Sequence, residues 1–156
     1  MAAVTTLDRG PGVIARRVTV NAPADELFAL VNDPHKHGQL DGSGTVRNNV
    51  KGPDALSKGA KFTTNMRMFG FPYRMTCTVT AHEDHAERKI VEWQHPLGHK
   101  WRWEFVPVTD NSTEVTESYN GTTSKIGRFQ ELSGLASRNV AGITKTLEKL
   151  AESHSS

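Results

Sequence analysis

Between residues 13 and 120 apolar and polar side chains alternate in short runs, and after Gly121 the repeat lengthens to three and four residues. Alternation of period two places successive side chains on opposite faces of a strand. Residues 13–20, rich in Val, Ile and Thr, predict a first strand, and residues 45–50 a short one. Over 61–69, Phe62, Thr64, Met66 and Met68 share one face; over 73–82, Tyr73, Met75, Cys77 and Val79 do. Val91, Trp93 and His95 (88–95), Trp101, Trp103 and Phe105 (100–107), and Thr113, Val115, Glu117 and Tyr119 (113–120) continue the series. The opposite faces carry mainly Thr, Arg, Lys and Glu, as a solvated side requires. Turns are expected at 70–72, 82–85, 96–98 and 109–111, where Gly, Pro, Asp or Asn cluster. The pattern predicts one curved, seven-stranded antiparallel sheet with all three tryptophans and both tyrosines on its concave side.

The longer repeat runs from residue 129 to residue 152. Leu132, Leu135, Ala136, Asn139, Val140, Ile143, Leu147 and Leu150 fall on one helical face, and Arg138, Lys145, Glu148, Lys149 and Glu152 mostly on the other. About 20 helical residues make a rod of roughly 30 Å. Strands of about eight residues span roughly 27 Å, so rod and sheet match in length. A rod with such a stripe must bury it, and the sheet is the partner at hand. Asn139 among the apolar positions, with Gly134 and Gly142 beside it, has two readings: the glycines let a strand approach and Asn139 lies at the stripe's edge, or this face lines a space that protein does not fill. Between strand one and the remaining strands lie two short helices. Asn21 or Ala22 caps the first, with Pro23, Asp25 and Glu26 in its opening turn, and it stops before Pro34. The second starts at Pro34 and passes through His37 and Leu40. The fold class is α+β.

With 156 residues the chain suits one domain, 13–152, preceded by a loose tail over 1–12. A net charge of +2 from interspersed acids and bases offers no footprint for nucleic acid. The single cysteine, Cys77, excludes an internal disulfide framework and cysteine-rich metal sites, and fits a reducing compartment. No signal-peptide core opens the chain and no apolar run is long enough to span a bilayer, so a cytoplasmic protein without integral membrane association is expected.

The stretches "NAPADELFALVNDPHKHGQLDGSG", "STEVTESY" and "NVAGITKTLEKL", in that order, resemble the polyketide cyclase/dehydrase and lipid-transport group, which includes START domains and the birch pollen allergens. The resemblance spans residues 13–151 and implies the helix-grip fold, a sheet wrapped around a long terminal helix. It also implies a hydrophobic cavity between the two. Members of that family carry lipids, sterols or other apolar ligands, or cyclise and dehydrate polyketides.

Glu117 is the most informative single residue, because parity sets a carboxylate on the apolar face, where an unpaired charge is costly. Either it is neutral there, or a partner meets it inside, with His95, Arg16 and Tyr73 as candidates, or a bulge shifts the register, or it lies near the open end and reaches water. His95 follows Trp93 on the same face and is the second candidate acid or base. Ligand contacts are expected from Phe62, Met66, Met68, Tyr73, Met75, Trp93, Trp101, Trp103 and Tyr119 on the sheet. Leu135, Asn139 and Ile143 are their counterparts on the helix. His35, His37 and Asp41 invite a metal reading, but no third matched ligand or supporting partner is identifiable, and neither metal nor cofactor is expected. His82, His85 and His99 fall in charged turns. Cys77, mid-strand and apolar-facing, should be inert. Ser43 lacks the context of a nucleophile elbow. Three functions stay open. One is binding of a small hydrophobic or aromatic ligand, lipid- or polyketide-like. Another is a cyclase or dehydratase in which Glu117 or His95 moves the proton while Tyr73 or Tyr119 holds a carbonyl oxygen. The third is a protein-interaction module with a filled core and no identified partner.

Overall fold

A computed structural model of the chain describes residues 3–36, 46–68, 71–123 and 135–154, with the backbone alone for 46–50, 65–68 and 135–139. The seven expected strands are all present. In chain order they are β2 (Val13–Val20), β3 (Val46–Lys51), β4 (Lys61–Met68), β5 (Phe71–Asp84), β6 (Lys89–Gln94), β7 (Lys100–Thr109) and β8 (Ser112–Asn120). With a short added strand, β1 (Thr5–Leu7), they form one antiparallel sheet in which β3 to β8 meander and β8 closes back onto β2, giving the spatial order β1-β2-β8-β7-β6-β5-β4-β3.

The first member of that order, β1 (Thr5–Leu7), corrects the expectation of a loose tail over 1–12. Thr5, Thr6 and Leu7 pair with Arg17, Arg16 and Ala15, and Arg9 then reaches Glu104 at 2.6 Å. Three residues are too few to register as a period-two signal, whereas an unpaired β2 edge would leave its backbone groups without partners. Two strand ends also differ from the turns expected. Phe71 pairs with Met68 and Pro72 with Arg67, so both belong to β5. At its other end β5 runs on to Asp84, opposite Lys89, after a register shift between Val79 and Ala81. That irregularity brings His82 opposite Val91, on the concave face, so His82 is a strand residue.

Helix α1 (Ala24–Asn32) starts after Pro23 and carries Asp25 and Glu26 in its first turn. It packs on β6 and β7 through Leu27, Phe28 and Val31. Phe28 meets Phe105 edge-on at 6.0 Å. The Thr113 hydroxyl donates to the Ala22 carbonyl and ties the helix entry to β8. A single 3-10 turn (Pro34–Lys36) follows; the rest of the expected second helix lies outside the described residues. In the connection expected to be polar, Leu56 is buried and its N–H donates to the Asn32 carbonyl.

Helix α2 (Leu135–Ser153) lies across β2 and β8. Ile143, Leu147 and Leu150 are buried as the stripe requires, while Lys145 and Lys149 face outward; residues 129–134 of the expected helix lie outside the described residues. One continuous core joins Val18, Leu27, Phe105, Val115 and Leu147. At about 1.5–3 kcal/mol for each fully buried side chain of this size, such residues hold both helices to the sheet.

Candidate functional site

The antiparallel register arranges the concave face in rows that cross the strands. One row runs Trp93, Trp101, Tyr119, Ile14; the next runs Val91, Trp103, Glu117, Arg16; a third runs Lys89, Phe105, Val115, Val18. The third row lies under α1 and is solid. The first lies toward the opposite end of the sheet and is built of rings. Trp101 and Tyr119 meet at 4.9 Å and 61°, and Phe62 closes on Trp93 edge-on at 5.5 Å. Gly121 makes this possible, because a Cβ there would stand 3.1 Å from the Tyr119 ring.

Glu117 is buried on this wall at 7 % exposure, between Trp103 and Arg16 in register. The Arg16 guanidinium donates to the Ala15 carbonyl at 2.9 Å and forms no ion pair among the described residues, so Arg16, one of the candidate partners, does not pair with Glu117. His95 lies past the ring row, at the 95–99 turn. Its backbone N–H donates to the His99 carbonyl, and its Nδ1 accepts the Leu97 N–H at 3.0 Å. Nδ1 therefore carries no proton, and neutral His95 holds its hydrogen on Nε2. The row Trp93–Trp101–Tyr119 separates His95 from Glu117, so the two are not brought together as one acid–base pair.

His99, expected in a charged turn, is instead 7 % exposed and turned inward. It stacks on His95 at 4.1 Å and 19°, and meets the Tyr119 ring at 5.2 Å. Its parity with Trp101 and Trp103 is the signal that places it. Burial, with the neighbouring His95 adding to it, holds the His99 imidazole down at about 4; burial lowers His95 as well.

The remaining ligand-contact candidates grade from closed to open. Trp93, Trp103, Phe62 and Ile143 are buried, Met75 and Trp101 are half-buried, and Tyr73 is 38 % exposed. The side chains of Met66, Met68, Leu135 and Asn139 lie outside the described residues. Cys77 is fully buried and its thiol is pushed up to about 12 by burial, in keeping with an inert residue.

Lys89 is an inward charge that strand parity should have flagged. Its ammonium nitrogen lies 5.4 Å above the Phe28 ring centre and bonds Asp84 and, at 2.9 Å, Asp25 of α1. Burial alone would lower its pKa; the hydrogen bonds to Asp84 and Asp25 outweigh that and raise it. This bridge clamps α1 at the closed end. Asp33, His35 and Asp54 bring donor atoms within 4.8 Å of one another on the surface, with His35 bonded to Asp33 at 2.9 Å; His37 and Asp41 lie outside the described residues. On the convex face Lys61, Thr76, Thr78 and Gln94 floor a shallow depression of about 390 Å³ at the 95–98 turn. Among the described residues no helix is long and apolar enough to cross a membrane.

A protein of Mycobacterium tuberculosis, the uncharacterized Rv0088, is 49% identical over 158 residues, covering 99% of this chain and 69% of that one. A Rhodobacter sphaeroides crystal structure superposes with a TM-score of 0.69 at 14% identity, covering 97% of both chains. Norcoclaurine synthase of Thalictrum flavum, solved with dopamine and hydroxybenzaldehyde, superposes at 0.57 and 15% identity over 99% of this chain and 90% of its own. These likenesses in structure establish the helix-grip fold that the birch-pollen-allergen-like proteins share. The sequence profile described as polyketide cyclase / dehydrase and lipid transport matches residues 12–154, and the chain belongs to that family.

Proposed function

We propose that the protein binds one small, hydrophobic, aromatic-rich ligand between the concave face of the sheet and α2. The observation that carries this reading is the change along the concave face. Under α1 it is packed solid around Phe105, whereas toward the far end rings and thioethers become half-buried and then exposed, through Trp101, Met75 and Tyr73. An apolar wall with a few convergent polar groups is the composition of a ligand site. Glu117 and the two histidines supply those groups. The mode of norcoclaurine synthase, a fold relative solved with two small aromatic compounds, fits the same reading. We further propose a cytoplasmic setting, which a single cysteine buried in the core supports.

A cyclase or dehydratase reaction is the second reading, and the buried Glu117 carboxyl favours it. With a ring row between Glu117 and His95, each would act alone on the ligand. Glu117→Gln tests the residue. It keeps shape and removes the charge, so a carboxyl that serves ligand or chemistry loses affinity or turnover while thermal stability holds within about 0.5 kcal/mol. A joint loss of stability of about 3 kcal/mol or more marks a structural pair and removes Glu117 from the site.

A further inference from the structure

His99 presents an atom that the protein itself does not use. The residue is 7 % exposed, and its Nδ1 has no hydrogen-bond partner among the described residues. Leaving such an atom dry costs about 1–3 kcal/mol, and a protein keeps that cost when something else completes the bond. The ring is held from both neighbours in the chain's register: His95 stacks on it at 4.1 Å and Tyr119 meets it at 5.2 Å, with Trp101 a further 4.9 Å beyond Tyr119. His95 is itself committed, its Nδ1 taken by the Leu97 N–H. A neutral ring results, stacked on His95 and tilted against Tyr119, with one buried nitrogen left without a partner among the described residues.

We propose that His99 Nδ1 is the polar anchor of the ligand site and receives the hydroxyl of an aromatic ligand, a phenol in chemical class. A hydroxyl both donates and accepts, so it satisfies Nδ1 in either imidazole tautomer. A carbonyl satisfies only the protonated nitrogen, and a carboxylate would have to leave water for a site whose neighbours are neutral rings. The rings of Tyr119 and Trp101 beside it favour an aromatic body over a flexible alkyl chain, because edge-to-face and offset ring pairs gain beyond their buried area. The assignment rests on the ligand-binding reading above and adds to it a contact atom and a ligand class.

The test uses a matched pair of probes, 1-naphthol and 1-methylnaphthalene, titrated against the full chain by tryptophan fluorescence. In an apolar cavity with no anchor the methyl compound binds tighter, since a buried hydroxyl without a partner is penalised. With His99 as anchor, 1-naphthol is expected to bind tighter by about tenfold, and the preference to reverse in His99→Phe. In the wild-type protein 1-naphthol should also move the Nδ1 imidazole nitrogen resonance of His99, and 1-methylnaphthalene should not. Should His99→Phe fail to fold, the wild-type preference and that resonance decide. Binding of both probes with the methyl compound preferred and the resonance unmoved overturns the anchor and leaves the ligand site standing. Failure of both probes to bind overturns the ligand-binding reading as well.

Discussion

Acid should weaken this fold in large part through the His99 imidazole. In the unfolded chain His99 titrates near its ordinary 6.5, whereas in the folded protein burial and His95 hold it at about 4. Between those values the unfolded state takes up a proton that the folded state refuses. The stabilisation is therefore fully present above pH 6.5 and is lost as the pH falls toward 4. A tenfold difference in proton affinity is worth ~1.4 kcal/mol, so His99 accounts for at most about 3 kcal/mol across the window. The groups facing it act in known directions. His95, stacked on it and also lowered by burial, adds to the loss. Carboxylates elsewhere titrate in the same range, so the comparison must be with a variant. His99→Gln removes the titration and keeps a polar side chain. Urea denaturation of both proteins, at steps from pH 7 to pH 4, gives the difference in unfolding free energy. The wild-type advantage over His99→Gln should shrink by about 2–3 kcal/mol across the series. Parallel pH curves for the two proteins would refute a buried neutral His99.

Lys89→Met should cost no more than about 1 kcal/mol, because most of the buried hydrocarbon stem is kept and the abandoned Asp25 and Asp84 are 90% and 56% exposed. Lys89→Ala loses the stem as well and should cost about 2 kcal/mol or more in the same urea assay; equal costs for the two variants would remove the packing role. The Cys77 thiol, buried and pushed up to about 12, should alkylate with iodoacetamide at least about 100-fold more slowly in the native protein than in urea. Similar rates would mean that β5 opens readily. Phe105→Ala, at the centre of the solid end, should destabilise by about 3–5 kcal/mol in chemical denaturation, and a loss below about 1 kcal/mol would contradict the packing described for α1.

Strand parity was the strongest guide in the sequence. Because side chains alternate strictly, Trp93, Trp101, Trp103, Phe62 and Tyr119 were placed on one wall, and Glu117 with them, before any contact was known. The same rule covers Lys89, the first residue of β6, and His99, one residue before β7: a histidine after a turn and a lysine beside Arg88 look solvent-facing by type, though both have inward parity. What is local and long-range was beyond the pattern. The irregularity between Val79 and Ala81 reverses parity within β5 and delivers His82 to Asn32, at 2.8 Å. β1 owes its existence to a free edge on β2, and Leu56 to a gap under the end of α1, neither of which short polar stretches announce. The stripe on α2 read correctly over Ile143, Leu147 and Leu150, where the period is regular.

The central claim is that the open end of the concave face takes up one small apolar molecule. Titration with a neutral environment-sensitive dye, N-phenyl-1-naphthylamine, tests it most directly, read as energy transfer from the tryptophans that form the wall. Saturation at one dye per chain is predicted, with quenching of tryptophan emission, retention of the native near-ultraviolet circular dichroism and displacement by 1-naphthol. Dye uptake without saturation, or only with loss of the native dichroism, would contradict a preformed site and leave a helix-grip fold whose interior is closed.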